Sequence, residues 1–389
     1  MSMRILILSF NAGEGHNSAA RALKEEFELR GDYCEIVDTV SLWSRHVSDL
    51  VGKMHASVYR HAPSLFNFFY GHYDKEDTGK ERATMLSKVT ALGLKSLKEV
   101  MESGVFDAAI ATHSMSAVAL SRVREKYGIN IPLFYISTDY TCHPGVNESD
   151  VDVYFIAHES TAGEFIDKGV PADRLVVSGI PVKKQFYAHM PKSEAKRLCG
   201  IPEDKRNVMI MGGSMGCGPV REVAEMLAEE LPEDAMVTVI CARNESLRMT
   251  LEKQSCEGRL AAIGFTDKIS SYMDASDVLV TKPGGLSSTE ALAKGIPMVL
   301  VDAVDGCEKH NRNFLVSCGY AKSGKEAREI ADMALALLEE SRAYGDEREC
   351  KVPISAEVVY NTVREHVELA RKSAERQNES SEQTENATV

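Results

Sequence analysis

Short apolar runs separated by longer amphipathic stretches set the rhythm of this chain. Residues 4–10 read as a buried strand, 17–30 carry helical periodicity, and 34–37 form a second short strand. Further strands are predicted at 108–111, 133–137 and 153–156, and a last one runs within 176–182 into a Pro-containing breaker. The plan then repeats, with strands at 207–211, 236–241, 260–263, 278–280 and 298–301 and helical segments in the gaps. Such alternation predicts parallel, doubly wound α/β sheets, one in each half. A single closing helix is expected over 356–374. The expected organisation is a first domain at 1–180, a second at 181–353, the closing helix within 354–374, and a disordered polar tail at 375–389, too rich in Glu, Ser, Gln and Asn to pack.

Length agrees with this division, because 389 residues exceed what one core usually serves. A hydrophobic fraction of 44% and a charged fraction of 26% are ordinary for a globular chain. No apolar run approaches a membrane span, and the N-terminus lacks a small-residue cleavage site, so no signal peptide is expected. Nine scattered cysteines without a CxxC pair suggest reduced thiols in a cytosol, not a disulfide frame or a zinc site. A net charge of −13 argues against a nucleic-acid partner. The charge is uneven, however. Residues 42–72 set Arg45, Lys53 and Arg60 against Asp49, with Trp43, Tyr59, Phe66, Phe68, Phe69 and Tyr70 interleaved. This suits docking on an anionic bilayer as well as it suits the core face of an ordinary helix.

Glycine clusters follow three of the predicted strands. The stretch Thr281-Lys282-Pro283-Gly284-Gly285-Leu286-Ser287-Ser288-Thr289-Glu290 joins a strand to a helix. Adjacent glycines admit a ligand to the backbone, and free N–H groups at a helix start favour phosphate. Glu290 is a poor phosphate partner but a good acceptor for paired hydroxyls such as those of a ribose, so the stretch suggests a nucleotide. The plain alternative is a tight turn with a solvated glutamate. A second cluster, with Gly213, Ser214, Gly216 and Gly218, fits close approach to a pyrophosphate, and lacks the Lys-Ser/Thr ending of an ATP-hydrolysing loop. The first, Gly13-Glu14-Gly15-His16-Asn17-Ser18, resembles a dinucleotide fingerprint with Ser18 in place of the third glycine, and Asp38 stands near the place of the ribose-binding acid. His16 at a helix start tends to be neutral and able to accept a proton. Arg243, Phe265, Glu308 and Asn311 also follow predicted strands.

Taken in order, GEGHNSAA at 13–20, TDYTCHPG at 138–145, SGIPV at 178–182, GGSMGCGP at 212–219, CARN at 241–244, TKPGGLSSTEAL at 281–292 and GCEKHN at 306–311 resemble GT-B glycosyltransferases of the MurG and monogalactosyldiacylglycerol-synthase type. The resemblance is to their diacylglycerol glucosyl/galactosyltransferase branch and runs from about residue 4 to about 370. It implies two Rossmann-like domains facing a central cleft and an inverting, metal-independent transfer of a hexose from a UDP-sugar to a membrane lipid, most simply diacylglycerol. It implies His16 as the base, with Asp139 as a second candidate, and no cofactor. Gly213, Ser214, Gly216 and Gly218 would face the diphosphate, Phe265 the uracil, and Glu290 the ribose. Glu308 and Asn311 would meet the donor sugar, with Arg243, Gly284, Gly285 and Ser288 completing the donor site. The implied location is cytoplasmic and peripheral, on the inner face of the cell membrane. Two positions depart from the pattern: Cys307 stands where relatives commonly have Gln, and Val146 where they often have an aromatic residue. Rival readings are a polyprenyl-linked acceptor transferase or UDP-sugar epimerase of the same fold, an NAD-dependent oxidoreductase, and a non-catalytic UDP-sugar sensor.

Overall fold

The computed structural model describes residues 1–10, 14–42, 93–212, 219–253, 258–301, 306–344 and 348–386. These form two all-parallel sheets of six strands each. The first contains β1 (Arg4–Ser9), β2 (Tyr33–Asp38), β3 (Ala108–Ala111), β4 (Leu133–Ile136), β5 (Val153–Ile156) and β6 (Leu175–Val177), ordered β2-β1-β3-β4-β5-β6. Helices α1 (Glu14–Leu29), α2 (Leu94–Gly104), α3 (Ser114–Tyr127) and α4 (Ala162–Asp167) belong to this half. The second sheet contains β7 (Arg206–Met211), β8 (Ala235–Ala242), β9 (Leu260–Gly264), β10 (Val278–Thr281), β11 (Met298–Leu300) and β12 (Ala321–Ser323), ordered β12-β11-β10-β7-β8-β9. With it go α5 (Lys192–Cys199), α6 (Val220–Glu230), α7 (Glu245–Lys253), α8 (Ile269–Asp274), α9 (Gly285–Ala293), α10 (Cys307–Ser317) and α11 (Ala327–Tyr344), while α12 (Ser355–Asn386) ends the described chain.

Both faces of each sheet are buried, which explains the near-continuous apolar strands. Ile5 and Ile7 join α1 and α12 in one core; Leu6 and Leu8 join α2 and α3 in another. In the second domain Val208 and Ile210 pack with α6 and α11, and Met209 and Met211 with α8 and α9. The strand order reverses between β1 and β3 in one sheet and between β7 and β10 in the other. Crevices for ligands open at the carboxyl ends of such strand pairs. The candidate residues His16 and Gly284 follow these strands.

Two features differ from the sequence-based expectation. Beyond about Glu375 the composition predicts a lack of order, yet α12 continues to Asn386. Glu, Gln, Lys and Arg are good helix formers, and a helix whose first turns are already docked extends at little cost. Its docked residues Ala356, Val359, Tyr360, Val363 and Val367 pack on the first domain, with the Arg30 guanidinium 4.3 Å from the Tyr360 ring centroid. The edge strand β12 is absent from the sequence-based pattern, because its half-exposed Ala-Lys-Ser sequence carries no apolar run. The segment 43–73 with its basic and aromatic side chains lies outside the described residues. No helix among the described residues is long and apolar enough to cross a membrane.

A fully buried ion pair ties α9 to α8: Lys294 Nζ donates to Asp274 Oδ2 at 2.6 Å and to the Ala188 carbonyl. Removing one partner of such a pair strands the other charge. Asp274→Ala is therefore expected to lower stability by about 3–5 kcal/mol in urea unfolding, whereas exchanging both residues for apolar ones of similar volume should cost far less.

Candidate active site

The first wall of the cleft is built at the β1/β3 switch. His16 lies in the first turn of α1 and its Nδ1 is 2.8 Å from the Thr112 carbonyl oxygen and 3.0 Å from Thr138 Oγ1. A carbonyl only accepts, so Nδ1 carries the proton and the basic lone pair is on Nε2. Beside it, His113 caps α3 by accepting from the Met115 amide at 3.0 Å, stacks on Phe10 at 4.3 Å, and lies edge-on to His16 at 4.6 Å. Asp38, the ribose acid of the dinucleotide reading, instead accepts from the Val40 amide at 3.2 Å.

The loop after β4 supplies the second element. Asp139 Oδ2 is 2.7 Å from His143 Nε2, and Asp139 Oδ1 accepts from Asn311 Nδ2 at 2.6 Å across the cleft. Burial alone would raise the Asp139 carboxyl, but the His143 hydrogen bond and charge, helped by Asn311 and His16, hold it below the ordinary carboxylate range. His143 is almost fully buried; burial opposes its charge, yet Cys307 and Asp139 outweigh this and hold its imidazole well above the usual histidine range. Cys307 Sγ lies 3.7 Å from either ring nitrogen.

The second domain forms the facing wall. A Cβ placed on Gly285 would lie 2.1 Å from the Thr138 carbonyl oxygen, so only glycine permits this approach of α9 to the β4 loop. Asn311, fully buried on α10, also accepts from the Tyr140 amide at 2.7 Å and donates to the Pro283 carbonyl at 3.1 Å. Its amide is thus engaged within the protein, where the sequence suggested a donor-sugar contact. Glu308, a second such candidate, is paired with Lys282.

Glu290 is half-buried on α9, and Ser288 on the same helix is fully buried with its Oγ lacking a hydrogen-bond partner among the described residues. Withdrawal from water pushes the Glu290 carboxyl up to about 8, and the Lys183 charge offsets this only in part. At the far end of the same sheet edge, Phe265 is 73% exposed after β9, and the Arg243 guanidinium lies 5.8 Å from its ring centroid. Gly284 caps α9 in extended conformation. Gly213, Ser214, Gly216 and Gly218 lie outside the described residues. The sequence reading missed His113 and His143 as site residues. The available signal was a histidine one or two residues beyond a buried apolar strand for His113, and its place in the 138–145 motif for His143.

Comparison with known proteins agrees with this architecture. Residues 16–182 match the family model for monogalactosyldiacylglycerol (MGDG) synthase, and residues 207–328 that for the glycosyltransferase family 28 C-terminal domain. The fold and these domains make the chain a glycosyltransferase of the GT-B class. Within that class its first half is similar to MGDG synthase and its second to the family 28 glycosyltransferases. A processive diacylglycerol beta-glucosyltransferase of Bacillus pumilus is 29% identical over 341 residues, covering 87% of each chain. Among solved structures, S. aureus MnaA with UDP aligns with a TM-score of 0.60 at 14% identity, over 95% of this chain and 98% of that one. MurG of Acinetobacter baumannii aligns at 0.58 and 13% identity, over 94% and 100%.

Two outcomes test the site. Gly285→Ala should force α9 from the Thr138 carbonyl and break the Asn311 bridge; solution scattering should then report a larger radius of gyration, and an unchanged profile would contradict the close approach. Because the folded Glu290 carboxyl titrates at about 8 and an unfolded one near 4.5, the folded state binds the extra proton between those values. Ligand-free protein should therefore lose stability as pH rises through this window, and Glu290→Gln should flatten the loss in thermal melts.

Proposed function

We propose that this chain transfers a hexose from a UDP-sugar to the hydroxyl of a membrane lipid, with diacylglycerol as the acceptor. The observation that carries the chemistry is the His16 tautomer: Nδ1 is held by the Thr112 carbonyl, which puts the proton-accepting lone pair on Nε2. Asp139 is the weaker base candidate, since His143 and Asn311 occupy its two oxygens and its carboxyl is held low. Its part is to hold His143 and the β4 loop in place.

In the reaction the acceptor oxygen attacks the anomeric carbon while His16 Nε2 takes its proton. The bond from that carbon to the UDP oxygen breaks on the opposite face, so configuration inverts and UDP leaves with the electron pair. The developing diphosphate charge falls to the loop after β7, with Gly213, Ser214, Gly216 and Gly218, and to the α9 start at Gly284 and Ser288. Support for this placement is the β7/β10 switch and the unpartnered Ser288 hydroxyl. Glu290 takes the ribose hydroxyls, either as proton acceptor or, when neutral, also as donor, and Phe265 with Arg243 flanks the base. Asn311 and Glu308 reach the donor sugar only when the cleft loosens and their present contacts are exchanged.

The names of relatives support the lipid: the Bacillus pumilus protein is called a processive diacylglycerol glucosyltransferase, and the first family model is that of MGDG synthase. UDP as the donor's nucleotide is supported by the similarly folded S. aureus MnaA, whose structure is a complex with UDP. Access to the lipid is assigned to peripheral contact with the inner face of the cell membrane through the basic and aromatic residues of 42–73.

The deciding experiment supplies radiolabelled UDP-glucose or UDP-galactose with diacylglycerol in mixed micelles. Label in the organic phase is expected from one donor; UDP release without lipid label would remove diacylglycerol as acceptor. His16→Ala should slow transfer by roughly 10²–10⁴-fold while UDP affinity, read by titration calorimetry, is retained. An unchanged rate would take His16 out of the mechanism.

A further inference from the structure

Three metal-ligating side chains converge where the two domains meet. Asp139 and His143 come from the loop after β4, and Cys307 is the first residue of α10 in the other domain. One ligand atom of each lies within 4.8 Å of the other two. Tetrahedral zinc with bonds of about 2.0–2.3 Å holds its ligand atoms roughly 3.3–3.7 Å apart. Cys307 Sγ is 3.7 Å from both His143 ring nitrogens, so it rests to the side of the Nε2 lone pair and must swing toward it by a side-chain rotation to share an ion there. The Asp139 to His143 spacing of 2.7 Å is shorter because a proton bridges the two atoms. Exchanging that proton for a cation requires a shift of roughly half an ångström or slightly more.

The surroundings favour a soft ion. Cys307 opens an α-helix, where backbone N–H groups stabilise thiolate over thiol. Asn311, one turn along the same helix, fixes the orientation of the Asp139 carboxylate through Oδ1, leaving Oδ2 on the His143 side. His143 and Asp139 are largely withdrawn from water, with side chains 6% and 15% exposed, so their donors are pre-oriented and not merely solvated surface groups. The bland reading is a thiol resting against an imidazole that a carboxylate orients. It accounts for each contact singly but not for three ligating groups of different kinds, drawn from both domains, meeting within 4.8 Å of one another.

We propose that Asp139, His143 and Cys307 form a binding site for a soft divalent cation of the zinc class, which bridges the two domains and latches the cleft shut. Three protein ligands leave a fourth position for water. The donors come from both sides of the cleft, so the ion is retained only while Cys307 of α10 stays against the β4 loop. Binding releases the protons of the thiol and the bridging contact. The consequence for catalysis rests on the transferase reading above: an ion that latches α10 and occupies the Asp139 side of the cleft slows transfer instead of assisting it. Cation binding itself does not depend on that reading.

The test is titration of the full chain, stripped with chelator, with cobalt(II) as a spectroscopic probe. One equivalent is expected to bind with a thiolate-to-cobalt charge-transfer band in the near ultraviolet and strong visible bands of a tetrahedral ion, both erased by zinc. Cys307→Ser should abolish the charge-transfer band and weaken binding by roughly 100-fold or more, beyond the loss usual for an outer-shell partner. Substituting the exposed Cys318 and Cys350 should leave the spectrum intact. If circular dichroism shows that Cys307→Ser does not fold, His143→Gln decides by the same loss of affinity. A wild-type spectrum without a thiolate band, or a band that survives in the folded Cys307→Ser or His143→Gln protein, overturns the proposal. Failure of sugar transfer with this spectrum intact would instead count against the transferase reading.

Discussion

The α-carbon of Gly285 and the carbonyl of Thr138 approach more closely than any residue with a side chain allows, and the rest of the site depends on that approach. It places the start of α9 against the loop after β4, so that the two sheets meet along a seam that is polar around Asn311 and apolar where Tyr140 and Ala157 join the core of the second domain. Asn311 then satisfies groups from both sides, accepting from the Tyr140 amide and donating to Asp139 and to the Pro283 carbonyl. The stacking of Tyr140 on Phe314 at 4.3 Å and its hydroxyl contact with Thr289 extend the seam with apolar and polar contacts alike. The polar part of this seam can be exchanged for contacts to ligand, while the Tyr140–Phe314 stack keeps an apolar contact between the domains.

Withdrawal from water does different work on the two walls. On the first, a carboxylate and an imidazole face each other, so charge pairing outweighs desolvation and both favour their charged forms. On the second, the Lys183 charge offsets the burial of Glu290 only in part, so desolvation prevails and the carboxyl is pushed up to about 8. Ser288 on the same helix is a neutral counterpart, its hydroxyl buried without a hydrogen-bond partner among the described residues. Unmet polar groups cost stability unless something binds them. Glu290 and Ser288 share α9, the helix that follows β10 at the strand-order switch where ligand crevices open.

Between them, two long connections tie the halves together. The chain leaves the first sheet after β6 and contributes Ile180 and Val182 to the core of the second domain, then returns beside the same crossing, where Ser355 Oγ donates to the Gly179 carbonyl at 2.9 Å. Pro353 lies 3.2 Å from where a Cβ on Gly179 would be, and Gly179 itself has φ near +80°, so glycine serves both the turn and the crossing. From there α12 docks on the first domain. Both domains thus hold each end of the crossover.

The sequence by itself determined the two parallel sheets, because fully buried strands must be short apolar runs and their spacing is local information. The glycine pair after β10 was legible for the same reason, and in the structure Gly284 and Gly285 begin α9 there. Only the tertiary structure decided how the polar groups are used. His143 meets Cys307 across 164 positions of sequence, and Asn311 meets Asp139 across 172, separations that no local period encodes. The tail was misread because composition measures whether a segment can build a core, whereas α12 needed only to extend a helix already docked on one. Periodicity reports which face of an element is buried; which partners meet on that face is set by how the faces pack.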